Sequence, residues 1–148
     1  MTVMENVRKL RSLRCLAAAC AAAGLAVFAA PAAYAASPSI TVDPSTGLAD
    51  GQSVVVAGNG FPAGKTVYVT ECSGSNPANP VCEQVDQHGT VAQDGSVTVS
   101  ATAHRTFDGY DPAGNPAGSV TCNATTSCWM AAAVDRSTFA PPAPISFG

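Results

Sequence analysis

Downstream of residue 35 the chain holds a single leucine, Leu48, against thirteen valines and twelve threonines. Leucine is a strong helix former, whereas β-branched side chains lose rotamer freedom in a helix and pack well on a pleated surface. Twelve glycines and ten prolines spread through the same stretch leave few uninterrupted windows for a helix. The chain is therefore expected to be all-β. Period-2 alternation places strands at 39–43, 52–57, 65–71, 96–103, 118–122, 128–134 and 144–147, with a weaker one at 90–92. Turn chemistry separates them: Pro44-Ser45-Thr46-Gly47, Gly58-Asn59-Gly60 and the hairpin-type pair Asp94-Gly95. Short strands with turns at this spacing predict a seven-stranded antiparallel sandwich of immunoglobulin-like topology.

Residues 1–35 read differently. Arg8, Lys9, Arg11 and Arg14 precede a charge-free stretch, 15–35, that ends in Ala33-Tyr34-Ala35. A basic segment, an apolar segment and small residues before a cut describe a secretory signal peptide. Residues 36–148 then form the expected working domain, with Lys65, Arg105 and Arg136 against nine carboxylates, a net charge of -6. Such a polyanion lacks the clustered cations that nucleic acid or anionic lipid requires. After residue 35 no apolar run approaches the roughly 20 residues that cross a bilayer. A secreted monomer without membrane contact is expected.

Cys15 and Cys20 leave with the signal, and four cysteines remain. An even number in a small secreted chain indicates a disulfide framework, for which four cysteines allow three connectivities. Local pairing is expected, Cys72 with Cys82 and Cys122 with Cys128, each bridge stapling a hairpin and contributing about 2–3 kcal/mol. A zinc site fits poorly, because no C-x-x-C pair is present and His88 and His104 have no ligand spacing. Catalytic signals are missing too. The chain contains no G-x-S-x-G elbow and no phosphate-cradling glycine loop, and Asp108 and Asp111 occupy turn-like sequence. No catalytic residue, metal or catalytic cofactor is assigned, and an enzyme is not expected.

A binding role is better supported. Phe61, Tyr68 and Phe147 fall in or beside strands and read as core. Tyr110, between Gly109 and Pro112, reads as a loop residue with little core to enter. Trp129 is followed by Met130-Ala131-Ala132-Ala133, whose small side chains leave room above a sheet. A floor of alanine edged by Trp129, Met130 and Tyr110 would form an apolar cleft for a small hydrophobic or aromatic molecule. The competing reading is a ligand-free immunoglobulin-like structural or adhesion module.

Five segments occur in order: Ile40-Thr41-Val42-Asp43-Pro44-Ser45-Thr46-Gly47-Leu48-Ala49-Asp50-Gly51, the nine-residue interval from Cys72 to Cys82, Arg105-Thr106-Phe107-Asp108-Gly109-Tyr110, Gly118-Ser119-Val120-Thr121-Cys122 and Ile145-Ser146-Phe147-Gly148. Together they resemble the neocarzinostatin family of enediyne chromoprotein apoproteins. The resemblance implies an immunoglobulin-like sandwich with an open cleft beside its disulfide-bearing ribbons. In the family that cleft holds a nine-membered enediyne chromophore non-covalently, shields it from water and thiols, and carries it out of the producing bacterium. The released chromophore, not the protein, cuts DNA, so DNA is implied as a partner only through that cargo. Carried over to this chain, the ligand-binding set is Tyr110, Trp129, Met130, Ala131 and Ala133, flanked by Phe107, Pro80 and Pro112. The chain departs from the family at several points. Segment 73–81 lacks a large aromatic, Pro112 stands at a position that is aromatic elsewhere in the family, the second disulfide loop is one residue longer than usual, and 135–142 is not glycine-rich.

Overall fold

The computed structural model describes residues 36–74, 76, 78–84 and 87–148, so the expected signal segment lies outside the described residues. Ten strands follow in chain order: β1 Ser39–Asp43, β2 Gln52–Asn59, β3 Thr66–Ser73, β4 Val81–Glu83, β5 Gln87–Thr90, β6 Val97–Ala103, β7 Thr106–Tyr110, β8 Pro116–Thr121, β9 Cys128–Ala133 and β10 Ala143–Ile145. Among the described residues there is no helix, and hence none long and apolar enough to cross a membrane. A three-stranded sheet runs β1-β2-β6, and a seven-stranded sheet runs β10-β9-β3-β4-β7-β8 with β5 paired to β3. Every named ladder is antiparallel.

Alternation within the strands builds the core. Val54 and Val56 of β2 and Val97, Val99, Ala101 and Ala103 of β6 belong to one buried cluster with Val67 and Val69 of β3, Phe107 of β7, and Met130 and Ala132 of β9. Each buried valine or larger side chain contributes about 1.5–3 kcal/mol of transfer free energy. Intervening residues of β2 and β6, such as Ser53 and Ser100, turn to the solvent and bond each other at 3.1 Å.

Several details differ from the sequence reading. The segment 106–110 is strand β7 rather than a loop, and Tyr110 is its last residue. Its Asp-Gly pair resembles a turn signal, but Gly109 has another purpose. A Cβ there would collide with Val81 Cγ1 and come within 3.1 Å of Val120 Cγ2, so glycine lets three strands approach. His88 lies in β5 opposite Tyr68. Asp94-Gly95 does make a tight turn, with Asp94 Oδ1 accepting from the Ser96 N–H at 3.0 Å and Gly95 at φ +84°. It joins β5 to β6, which belong to different sheets, and so it is not a hairpin. Tyr68 is not core: Val67 and Val69 point inward, and Tyr68 between them is 53% exposed.

Both expected disulfides are present. Cys72–Cys82 joins directly opposed residues of β3 and β4, with Cα atoms 4.0 Å apart. Cys122–Cys128 spans 5.7 Å between Cα atoms and closes the connection from β8 to β9. That bridge does not staple a hairpin, because β8 pairs with β7 while β9 pairs with β3 and β10.

Gly109→Ala is expected to lower the unfolding free energy by about 1–3 kcal/mol, the usual range for overpacking. Adding Val81→Ala to that variant should recover part of the loss in urea titrations; equal stability of Gly109→Ala and the parent would refute the close approach.

Candidate functional site

The outward face of the seven-stranded sheet carries a groove of about 730 Å³. Cross-strand register builds its floor. Trp129, Cys72, Cys82 and Tyr110 stand side by side across β9, β3, β4 and β7. Two rows along the same face, beyond the Thr70–Ala131 pair, Ala133 stands beside Tyr68 and Tyr68 beside His88, the two rings lying 5.8 Å apart. Cys82, Tyr110, Tyr68 and Ala133 all line the groove. Its walls come from three connections: Ala78 and Pro80 between β3 and β4, Asp111 and Pro112 between β7 and β8, and Val134, Asp135, Arg136 and Phe139 between β9 and β10.

Each wall is ordered by an Asn or Asp bonding its own turn. Asn76 Oδ1 accepts from the Ala78 N–H at 2.9 Å. Asp111 Oδ1 accepts from the Ala113 and Asn115 N–H groups, both at 2.9 Å. Asp135 Oδ1 accepts from the Ser137 and Thr138 N–H groups at 2.8 and 2.7 Å. The Asn115 bonds hold Asp111 below the usual carboxylate range, and the Ser137 bonds do the same for Asp135. Both stay ionised, and the turns they cap present Pro112 and Phe139 to the groove.

The structure brings together Tyr110, Ala133, Pro80 and Pro112 of the expected binding residues. Ala131 shares the face of Ala133 but lies outside the groove lining. Trp129 also shares that face, yet it is only 8% exposed, with its Cη2 3.9 Å from the Cβ position of Gly74 in the β3–β4 connection. Met130 and Phe107 are displaced from the groove altogether. Strand alternation turns both into the core, where they are 0% and 4% exposed. Alternation likewise reduces the alanine floor, since Ala132 faces inward. Tyr68 and Phe139, 53% and 59% exposed, are the large aromatic groove residues that the sequence reading missed. The alternation Val67-Tyr68-Val69 carried the signal for Tyr68. Phe139 could have been found as a large apolar side chain directly after the polar run Asp135-Arg136-Ser137-Thr138.

Behind the floor, on the inward face of the same strands, lies an unexpected acidic group. Glu71 is fully buried; its Oε2 accepts the His104 N–H at 2.7 Å, and its Oε1 lies 3.3 Å from Cys122 Sγ. Burial pushes its pKa up to about 7, the His104 N–H bond opposing and the nearby Glu83 carboxylate reinforcing that rise. Glu83 Oε1 lies 3.0 Å from His104 Nδ1. Elsewhere, a smaller cavity of about 460 Å³ adjoins the Cys122–Cys128 loop and Phe147.

Comparison with known proteins gives a consistent result. A family model described as the Neocarzinostatin family matches residues 40–147. The antitumor antibiotic C-1027 apoprotein of Streptomyces globisporus is 38% identical over 112 residues, covering 74% of this chain and 75% of that protein. Actinoxanthin, also of Streptomyces globisporus, matches with the same identity and coverage. The solved structure of macromomycin superposes with a TM-score of 0.68 at 28% identity, covering 76% of this chain and all of the other.

The two faces of the sheet should respond differently to truncation. Tyr68→Ala and Phe139→Ala are expected to cost less than about 1 kcal/mol of stability, because both side chains are solvated. Met130→Ala is expected to cost about 2–5 kcal/mol, as buried large-to-small changes do. Chemical denaturation of the three variants distinguishes these, and a Met130→Ala protein as stable as the parent would contradict the placement of that side chain.

Proposed function

The chain belongs to the neocarzinostatin family, whose model matches residues 40–147, and from that membership we propose that it is a secreted apoprotein that binds, stabilises and carries an enediyne-type chromophore. In this reading residues 1–35 direct export and residues 36–148 form the carrier, a monomer that acts by binding rather than by catalysis. DNA is engaged only by released cargo, in keeping with three basic residues against nine acidic ones in 36–148.

The observation that carries this proposal is the groove on the solvent face of the large sheet. Its volume of about 730 Å³ falls within the usual 300–1,000 Å³ of small-molecule sites. Its lining joins three aromatic rings, those of Tyr68, Tyr110 and Phe139, to proline and alanine. A ligand burying about 400 Å² of apolar surface there would gain about 10 kcal/mol, at about 25 cal/mol per Å². Association opposes this with about 4–15 kcal/mol, so the strength of retention depends on how closely the cargo fits the groove.

The lining also suits a reactive cargo. Among the described residues no lysine lines the groove, and the one cysteine that does, Cys82, is held in a disulfide. Thiolates are the strongest nucleophiles that a protein commonly offers, and an oxidised pair presents none. The carrier in this reading offers neither a thiolate nor an amine to an electrophilic cargo.

Ala133, on the floor beside Tyr68, provides the test. Ala133→Trp should fill the groove without entering the core. The parent is expected to bind the neutral fluorophore N-phenyl-1-naphthylamine with enhanced emission, and Ala133→Trp to bind it at least tenfold more weakly at an unchanged urea midpoint. Equal binding by the two proteins would place the ligand elsewhere.

A further inference from the structure

Strands β3 and β4 have two opposite duties. Cys72 and Cys82 face outward and form the disulfide of the groove floor, while their sequence neighbours Glu71 and Glu83 face the other way. Several groups meet Glu71. Glu83 approaches from β4, His104 from the turn between β6 and β7, Asp50 from the connection before β2, and the Cys122–Cys128 disulfide from the connection before β9. Among the described residues, His104 is the only basic one whose charge acts on it. Arg105, next in sequence, directs its guanidinium instead to the Gly148 carbonyl and the Phe147 ring.

The hydrogen bonds identify the species that this pocket fits. Cys122 is in a disulfide and has no S–H, so its sulfur can only accept. The 3.3 Å approach of Glu71 Oε1 is a hydrogen bond only when that oxygen carries a proton. Oε2 then acts as the carbonyl acceptor for the His104 N–H at 2.7 Å. The neutral acid satisfies both oxygens. The carboxylate loses the sulfur contact and faces Glu83 across a desolvated gap.

We propose that Glu71, with Glu83 and His104, forms a pH-sensitive latch behind the groove floor: deprotonation of Glu71 weakens the β3–β4 ribbon that walls the groove, and bound ligand escapes faster. This inference rests on the carrier reading for its ligand, but not for the latch itself. Glu71 shifts from an ordinary 4.5 up to about 7 in the closed fold. A raised carboxyl pKa stabilises the closed state below the ordinary value, and this contribution is lost as pH rises through the window from 4.5 to 7. Opening that hydrates Glu71 therefore becomes easier by up to about tenfold per pH unit inside that window and levels off above it.

The experiment measures the dissociation rate of N-phenyl-1-naphthylamine by stopped flow from pH 5 to pH 8. The parent should release the fluorophore at least tenfold faster at pH 7.5 than at pH 5. Glu71→Gln preserves an acceptor for His104 and a donor for the sulfur, and it should release the fluorophore slowly at every pH. Glu83→Gln should move the midpoint to lower pH, because it removes a neighbouring negative charge that helps to raise the Glu71 pKa, while burial keeps that pKa above the ordinary value. A rate independent of pH in the parent, or a pH dependence that survives in folded Glu71→Gln, overturns the latch. If the fluorophore binds at no pH, the carrier reading fails instead, and hydrogen exchange of the ligand-free protein decides the latch. Protection factors of the Val69 to Cys72 amides that fall from pH 5 to pH 7.5 in the parent but not in Glu71→Gln support it, and unchanged factors overturn it.

Discussion

β3 holds a buried hydrophobic core on one side and an open groove on the other, and the elements around it are arranged about that division. Val67 and Val69 are almost completely inaccessible, while Tyr68 between them is 53% exposed. A strand can do this only if its register is fixed, because a one-residue slip would send each side chain to the opposite face. Two constraints fix it here. The Cys72–Cys82 disulfide ties directly opposed positions, and the ladder with β9 runs through six residue pairs from Tyr68 to Ser73.

The groove depends on that register in a second way. Sheet faces are flat on the scale of a small molecule, so concavity must come from the connections above them. Here three connections rise around a floor of small or planar side chains, each folded by an Asn or Asp that bonds its own turn. Such walls owe little to the core, and their residues can vary while the sandwich stays intact. The chain can therefore keep the family's fold while its rim carries Pro112 and Phe139. The oxidised cysteine pair contributes to the shape of the floor and leaves no free thiol at Cys82.

Much of the fold was legible in the sequence because it rests on composition and period. The scarcity of leucine, the Val/Thr alternation and the turn residues gave the all-β class and most strand positions, and the short cysteine intervals gave the pairing. Strand β7 was missed because Asp108-Gly109 has the chemistry of a turn, whereas the glycine is needed by packing against Val81, a contact between segments distant in sequence. The candidate site was only half legible. Tyr110, Ala133, Pro80 and Pro112 reach the groove, but Met130 and Phe107 obey the alternation of their strands and enter the core. Glu71 gave no warning, because a single glutamate in a strand reads as a solvated residue until its partners are known.

The central claim is that the groove carries a cargo. Native mass spectrometry of the protein recovered from the medium of its own producing cells tests it most directly. The account predicts a complex heavier than the two-disulfide polypeptide, whose excess mass departs on collisional activation without covalent change. Freshly recovered protein that shows only the bare polypeptide mass would contradict it.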